Sequence, residues 1–91
     1  MGETKRRIIT FKIVIPFRDY KRIIEIISYL KSLGCTPIYI KRSVLFKERR
    51  ELAPVEIVYK LELPSEKIKE LKKKTAKVLR GTLGFFLLYP S

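Results

Sequence analysis

The feature that most constrains this fold is the order in which the hydrophobic period changes along the chain. Apolar residues alternate with polar ones in some segments and recur at three- and four-residue spacing in others. Period two predicts a strand, and a period near 3.6 predicts a helix. The resulting order is strand, helix, strand, strand, helix, strand, over residues 8–15, 17–33, 37–46, 55–63, 66–80 and 82–89.

Proline, glycine and serine residues separate these segments. Pro16 follows the first strand pattern, and Gly34 and Gly81 each follow a helical pattern. Glycine is the residue that most readily takes the left-handed conformation that closes a helix. Ser65 precedes the second helical pattern, where we expect its side chain to cap the helix N-terminus.

This order predicts an α+β fold with four antiparallel strands in one sheet and both helices on one face. That arrangement is the ferredoxin-like split βαββαβ sandwich. A chain of 91 residues is long enough for one domain with one modest core. We expect a basic N-terminal arm over residues 1–7 and a single domain over residues 8–91.

The composition restricts where in the cell the protein is expected to work and which cofactors it can bind. The chain is 46% hydrophobic and 33% charged, with no signal-peptide pattern and no apolar run long enough to cross a bilayer. Cys35 is the sole cysteine, which excludes an intrachain disulfide and a cysteine-based metal site. We therefore expect a cytoplasmic protein with no membrane partner, no metal and no cofactor.

Four residue types are absent from the sequence: His, Asn, Gln and Trp. Loss of the thermolabile amides, together with heavy use of Lys, Arg, Glu and Ile, is typical of adaptation to high temperature. A chance bias in a short chain is the alternative. The lack of His also removes the usual general base near neutral pH, so the sequence does not favour catalysis.

The net charge of +12 is concentrated in three clusters. Residues 1–22 carry a net charge of +5, residues 41–50 carry +4 and residues 67–80 carry +6, while the remaining stretches together carry −3. A positive field of this size repels other copies of the chain and attracts polyanions. The sequence therefore predicts nucleic acid as the partner.

The candidate phosphate contacts lie on the second helix, on the turn between the middle strands, and on the N-terminal arm. They are Lys69, Lys72, Lys73, Lys74, Lys77 and Arg80; Lys47, Arg49 and Arg50; and Lys5, Arg6 and Arg7. Lysines at four-residue spacing present one continuous positive face, which follows phosphates without reading bases. The alternatives are a solvated helix paired by Glu66 and Glu70, a charged turn, and a frayed terminus.

Base reading is restricted because Asn and Gln, which pair with adenine through two hydrogen bonds, are missing. Recognition by backbone and shape suits A-form helices, so we expect RNA in preference to DNA. A role within a ribonucleoprotein particle fits equally well.

The open face of the predicted sheet suggests an alternative, a protein-interaction or homodimer surface. RNA-recognition domains of this topology stack bases on aromatic residues of the two central strands. Here Phe11 and Tyr59 are predicted to face the core, on the same side of their strands as the isoleucines. The aromatic platform for base stacking is therefore missing from the open face. The outward phase is expected to carry an apolar interface made of Val14, Tyr39, Leu45, Val58, Phe86 and Leu88.

A third hypothesis is a dimeric metal-dependent nuclease that brings together two copies of Asp19. Metal-dependent nucleases need converging carboxylates, and Asp19 is the sole aspartate in the chain. Its position after Pro16, in the first turn of the predicted helix, favours a role at the helix terminus instead.

Overall fold

A computed structural model of the protein describes residues 6–42 and 50–90. The elements are β1 (Arg6–Pro16), a 3₁₀ segment (Phe17–Ile23), α1 (Ile24–Ser32), β2 (Tyr39–Arg42), a 3₁₀ turn (Arg50–Leu52), β3 (Pro54–Pro64), α2 (Ser65–Leu79) and β4 (Phe85–Pro90). The four strands form one antiparallel sheet in the order β2-β3-β1-β4. The βαββαβ order confirms the predicted ferredoxin-like α+β fold.

The core lies between the helices and the two central strands, β1 and β3. These strands pair along their whole length, from Arg6 opposite Pro64 to Pro16 opposite Pro54. Phe11 and Tyr59 are directly opposite each other and fully buried, with ring centroids 6.1 Å apart. The inward phase predicted for both central strands is therefore confirmed.

The first helical segment differs from a single α-helix over residues 17–33. Residues Phe17–Ile23 form a 3₁₀ segment before the α-helical conformation begins at Ile24. The backbone N–H of Phe17 donates to the carbonyl of Ala53 at 2.9 Å, which ties this segment to the start of β3. Gly34 has a φ of +80° after α1, as its position predicted.

The second helix follows β3 without a loop. Ile68, Leu71, Thr75 and Leu79 form its buried side, as the helical spacing predicted. The expected capping role of Ser65 is wrong, because Pro64 occupies the cap position in an extended conformation and no side chain caps the helix. Ser65 is instead the first helical residue.

The outward phase predicted for Phe86 and Leu88 is wrong. Phe86 lies opposite Ile13 and its ring centroid is 6.0 Å from that of Phe11, and both Phe86 and Leu88 pack against the core. The run of four apolar residues in β4 has no alternation, so pairing with β1 determines its phase. The open face instead receives Phe85, Leu87 and Tyr89, which lie opposite Val14, Lys12 and Thr10.

β2 is described over Tyr39–Arg42 and pairs with the start of β3. The rest of the predicted second strand, including Leu45, falls in residues 43–49 and lies outside the described residues. Across residues 6–42 and 50–90, no helix is long and apolar enough to cross a membrane.

Candidate nucleic-acid interface

α2 presents a row of exposed lysines on the side opposite its buried residues. Lys69, Lys73 and Lys77 are all exposed. Because an α-helix has 3.6 residues per turn, residues four apart lie on one side of it. Lys72 is exposed beside this row and widens it. We call these four residues the α2 lysine face.

The α2 lysine face has no acidic partner within the described part of the chain. The ion pair on α2 there joins Lys67 Nζ to Glu70 Oε2 at 3.5 Å, and both side chains are nearly half exposed. No described carboxylate lies within 4.0 Å of any of the four lysines. Among the lysines of α2, ion pairing with a described carboxylate is thus confined to Lys67. The positive charge of the α2 lysine face is not compensated by acidic residues in the described part of the chain.

Lys74 and Arg80 have different surroundings from the α2 lysine face. Lys74 Nζ lies 5.1 Å from the ring centroid of Tyr29, in a cation–π contact that joins α2 to α1. The carbonyl of Arg80 accepts a hydrogen bond from Arg22 Nη1 at 3.2 Å. This contact brings Arg22 beside the C-terminal end of α2. The sequence gives no signal for it, because 58 residues separate the two arginines.

The two described residues of the predicted basic arm, Arg6 and Arg7, are the first residues of β1. Arg6 Nη2 donates to the carbonyl of Glu62 at 2.9 Å. Arg7 shares the strand phase of Ile9, so it lies on the helix side of the sheet. Lys5 falls outside the described residues.

A cleft of about 510 Å³ lies between the beginning of β1, the N-terminal half of α2 and the end of β4. It brings Arg7 of the first charge cluster together with Lys72 of the third. Sequence reasoning missed it, because the cleft depends on where β4 ends along β1. Its lining is formed by Arg7, Ile8, Ile9, Ile68, Lys72, Leu88, Tyr89 and Pro90.

The described ends of the two middle strands, where the predicted basic turn would join them, lie far from this cleft. β2 ends with Arg42 opposite Val55, whereas Arg7 lies opposite Leu63. Eight residues of β3 separate these two positions, roughly 26 Å at the rise of an extended strand. Lys47 and Arg49 lie outside the described residues, and Arg50 begins the 3₁₀ turn before β3.

The open face of the sheet contains a compact polar network. Lys12 Nζ lies 2.8 Å from Glu56 Oε1, and the hydroxyl of Tyr39 donates to the same oxygen at 2.9 Å. The hydrogen bond from Lys12, followed by that from Tyr39, holds the pKa of the Glu56 carboxyl below its ordinary value. The same bonds raise the pKa of Lys12 and of Tyr39. The charges at the middle of this face are therefore matched.

Apolar side chains surround this network. Of the predicted interface residues, Tyr39 is exposed, Val14 is partly exposed and Val58 is buried. On β4 they are joined by the exposed residues Phe85, Leu87 and Tyr89. The aromatic residues of this face thus lie on the edge strands, while those of the central strands are buried.

Asp19 and Cys35 are the two remaining residues that the sequence analysis weighed. Asp19 accepts a hydrogen bond from Arg18 Nε at 3.4 Å, and no group of three His, Cys, Asp or Glu residues in the described ranges could hold a metal ion. Cys35 is half-buried against the core, and burial raises the pKa of its thiol.

Comparison with known proteins gives no relative: no family model, no curated protein and no solved structure matches the chain significantly.

Proposed function

We propose that this protein binds nucleic acid, RNA in preference to DNA, through phosphate contacts made by the α2 lysine face. The observation that supports this most strongly is that Lys69, Lys72, Lys73 and Lys77 are exposed with no described carboxylate in reach. An exposed lysine that is already paired gains less from a phosphate, since the pair must first be broken. These four side chains have no such cost.

The spacing of the lysines supports contact with several phosphates at once. Lys69, Lys73 and Lys77 follow one another at about 6 Å along the helix axis, from the rise of 1.5 Å per residue. Each phosphate that a lysine neutralises releases condensed counterions, which is the main source of sequence-independent affinity. Arg22 and Arg80 extend the positive surface at the C-terminal end of α2.

RNA is favoured because the contacts available on this surface read backbone and shape. Lysine donates hydrogen bonds but accepts none, and the chain has no Asn or Gln with which to read adenine. A-form duplexes are recognised mainly through their shape and backbone. The protein then works as a non-catalytic RNA-binding module, alone or within a ribonucleoprotein particle.

The test is the dependence of affinity on salt, measured with RNA and DNA duplexes of the same length and sequence. If six or more phosphates are contacted, raising the salt from about 50 to 200 mM weakens binding by roughly a thousandfold or more. We expect the RNA duplex to bind more tightly at every salt concentration. An affinity that is flat in salt contradicts the proposal.

A second candidate function is self-assembly through the open face of the sheet. Among the described residues this face carries four cations, Arg6, Lys12, Lys41 and Lys60, against the two glutamates Glu56 and Glu62, so its net charge is +2 in a chain of net charge +12. Its exposed apolar side chains on β4 could be buried by a second copy of the chain. Light scattering at high concentration tests this candidate, which requires a dimer and is contradicted by a monomer.

A further inference from the structure

β4 lies at one edge of the sheet and β2 lies at the other. The inner side of β4 pairs with β1, and no strand in the described ranges pairs with its outer side. Backbone N–H and C=O groups alternate in direction along an antiparallel strand, so every second residue of β4 directs them away from β1. The outer side of β4 can therefore pair with a further strand.

The middle of this edge lies away from the parts of the chain that the structure does not describe. Leu87 is opposite Lys12, which is six residues along β1 from Arg6, or roughly 20 Å at the rise of an extended strand. Residues 43–49 follow β2, at the opposite edge of the sheet.

The two edge strands differ in charge. β2 carries Lys41 and Arg42 among its four described residues. β4 has the sequence Phe-Phe-Leu-Leu-Tyr-Pro, with no charged residue, although 33% of the chain is charged. Charged side chains on an edge strand normally prevent pairing with another chain, and apolar edges without them associate. β4 lacks this protection, and Pro90, which has no N–H, lies at its last position.

Apolar surface remains uncovered on both faces of β4. On the helix side, Phe86 and Leu88 pack against the core but stay partly exposed, whereas Ile13 and Phe11, their partners on β1, are fully buried. A strand placed beside β4 would cover apolar side chains on both faces. Those on the open face are Phe85, Leu87 and Tyr89, which are 52%, 46% and 46% exposed.

We propose that a second copy of this chain pairs antiparallel with the outer side of β4, with Leu87 opposite Leu87, so that the two sheets join into one sheet of eight strands. Residues directly opposite each other in antiparallel strands lie on the same face. In this register Phe85 of each copy lies opposite Tyr89 of the other, and Phe86 lies opposite Leu88. This inference goes beyond the phosphate contacts of α2, and it differs from face-to-face packing of the open sheet.

A second copy fits this edge better than a charged partner does. β4 has no charge with which to select an acidic or a basic strand, and its apolar pattern is symmetric about Leu87. Residues 81–91 carry no charged side chain, so two copies of a chain with a net charge of +12 repel each other least there. Once the β4 edges are paired, the remaining edges of the described sheet are the two charged β2 strands, so assembly stops at the dimer.

The pairing also determines how the dimer responds to salt. Because it keeps the faces of the two sheets in common, both α2 helices lie on the same side of the joined sheet. Lys72 and Leu88 line one cleft, so the α2 lysine faces of the two copies come to opposite sides of the junction. Salt screens the repulsion between them and strengthens the dimer, whereas it weakens RNA binding.

The first experiment measures dimerisation of the intact protein by sedimentation equilibrium, with two matched variants. Leu87→Arg and Tyr39→Arg each place one charge on the open face at a residue of similar exposure, the first on β4 and the second on β2. We expect Leu87→Arg to weaken the dimer roughly tenfold or more, because it puts like charges directly opposite each other, and Tyr39→Arg to leave it nearly unchanged. Circular dichroism checks that both variants are folded.

Equal weakening by Leu87→Arg and Tyr39→Arg assigns the contact to the whole open face and overturns pairing along β4. A wild-type protein that stays monomeric at high concentration and high salt also overturns it. The outcome is independent of the proposed function: a dimer whose RNA affinity is flat in salt keeps this inference and removes RNA binding, and a monomer with salt-dependent RNA affinity does the reverse.

The second experiment follows backbone amide hydrogen exchange by NMR in dilute and concentrated samples. We expect alternate amides of residues 85–89 to exchange roughly tenfold more slowly in the concentrated sample, as the outward N–H groups of β4 become paired. The amides of β2 at the other edge serve as the control and should not change. Exchange in β4 that is independent of concentration, or equal slowing in both edge strands, contradicts the pairing.

Discussion

The outward side of α2 and the open face of the sheet both present lysines, but their charges are matched to different degrees. On α2, Lys69, Lys72, Lys73 and Lys77 have no described acidic partner. On the sheet, Lys12 and Tyr39 converge on Glu56. Apolar side chains fill much of the sheet face, whereas α2 keeps its apolar residues against the core.

The difference between these two faces shows that a net charge of +12 does not by itself indicate where a polyanion binds. The positions and partners of the charges decide it. Lysine is unpaired along the outward side of α2, whereas on the sheet Lys12 is paired with Glu56, and Lys41 and Lys60 have no ion-pair partner among the described residues. Closely spaced unpaired charges attract a polyanion more strongly than a mixture of paired and unpaired ones. Burial of the sheet face against another protein keeps the Lys12–Glu56 pair but requires that the partner supply acidic groups for Lys41 and Lys60.

The largest effect is expected from replacing Lys69, Lys73 and Lys77 together by Gln. Each lysine that contacts a phosphate contributes about one unit to the slope of log affinity against log salt, so the slope should fall by about 2 to 3. The matched control replaces Lys21, Lys31 and Lys60, which are also exposed and lie off α2. If the salt slope falls equally in both triple variants, RNA affinity depends on net charge alone. The proposed difference between α2 and the sheet face is then wrong.

A smaller effect, confined to the sheet, is expected from Leu87→Arg. Leu87 lies beside Lys12 on the open face, and burying a leucine side chain contributes about 1.5 to 3 kcal/mol. If the open face mediates self-assembly, dimerisation should weaken at least tenfold while RNA affinity stays nearly unchanged. Leu83→Arg, in the loop before β4, makes the same change away from the sheet and should leave the dimer intact. Sedimentation equilibrium measures both.

Gly84 lies where the connection from α2 meets the sheet. Gly84→Ala tests the packing that determines which residues of β4 face the core. A Cβ atom there would lie 3.0 Å from Ile15 Cγ1, 3.1 Å from Leu79 Cδ2 and 3.1 Å from the carbonyl oxygen of Val14. We expect a loss of about 1 to 3 kcal/mol in the free energy of unfolding, typical of overpacking. Thermal unfolding measures it, and an unchanged midpoint contradicts this close approach.

The smallest effect concerns Glu56. Because the pKa of its carboxyl is lower in the folded protein than its ordinary value of 4.5, its contribution to stability is complete above that value and is lost as pH falls through the folded pKa. Lys12→Met should return the Glu56 pKa towards 4.5, and Tyr39→Phe should do so to a smaller extent. A carboxyl titration by NMR that does not respond to Lys12→Met contradicts the proposed network.

The sequence predicts the fold well where one face of an element is apolar and the other polar. β1, β3 and α2 have such patterns, and their buried faces are as predicted. β4 lacks one, since Phe85 to Leu88 are all apolar, and its phase follows from pairing with β1. The outward position of Leu87 and Tyr89 is therefore a tertiary property that periodicity does not contain.

The candidate site, like the fold, could be predicted from the sequence only where it follows from an amphipathic pattern. The exposed lysines of α2 follow from its amphipathic spacing alone. Two features could not be predicted without knowing how α1, α2 and β1 pack together. One is the contact of Lys74 with Tyr29, and the other is the cleft that both Arg7 and Lys72 line. The central charge surplus could thus be read from the sequence, whereas the cleft could not.

The most direct test of the contrast between the two faces is a backbone amide NMR titration with an RNA duplex. A duplex offers phosphates without unpaired bases, so it reports on the positive surface alone. We expect the shifts to concentrate on residues 69–80 and on Arg22, and to disappear at high salt. Shifts concentrated instead on Tyr39, Glu56 and Leu87 of the open sheet face would contradict binding through the α2 lysine face.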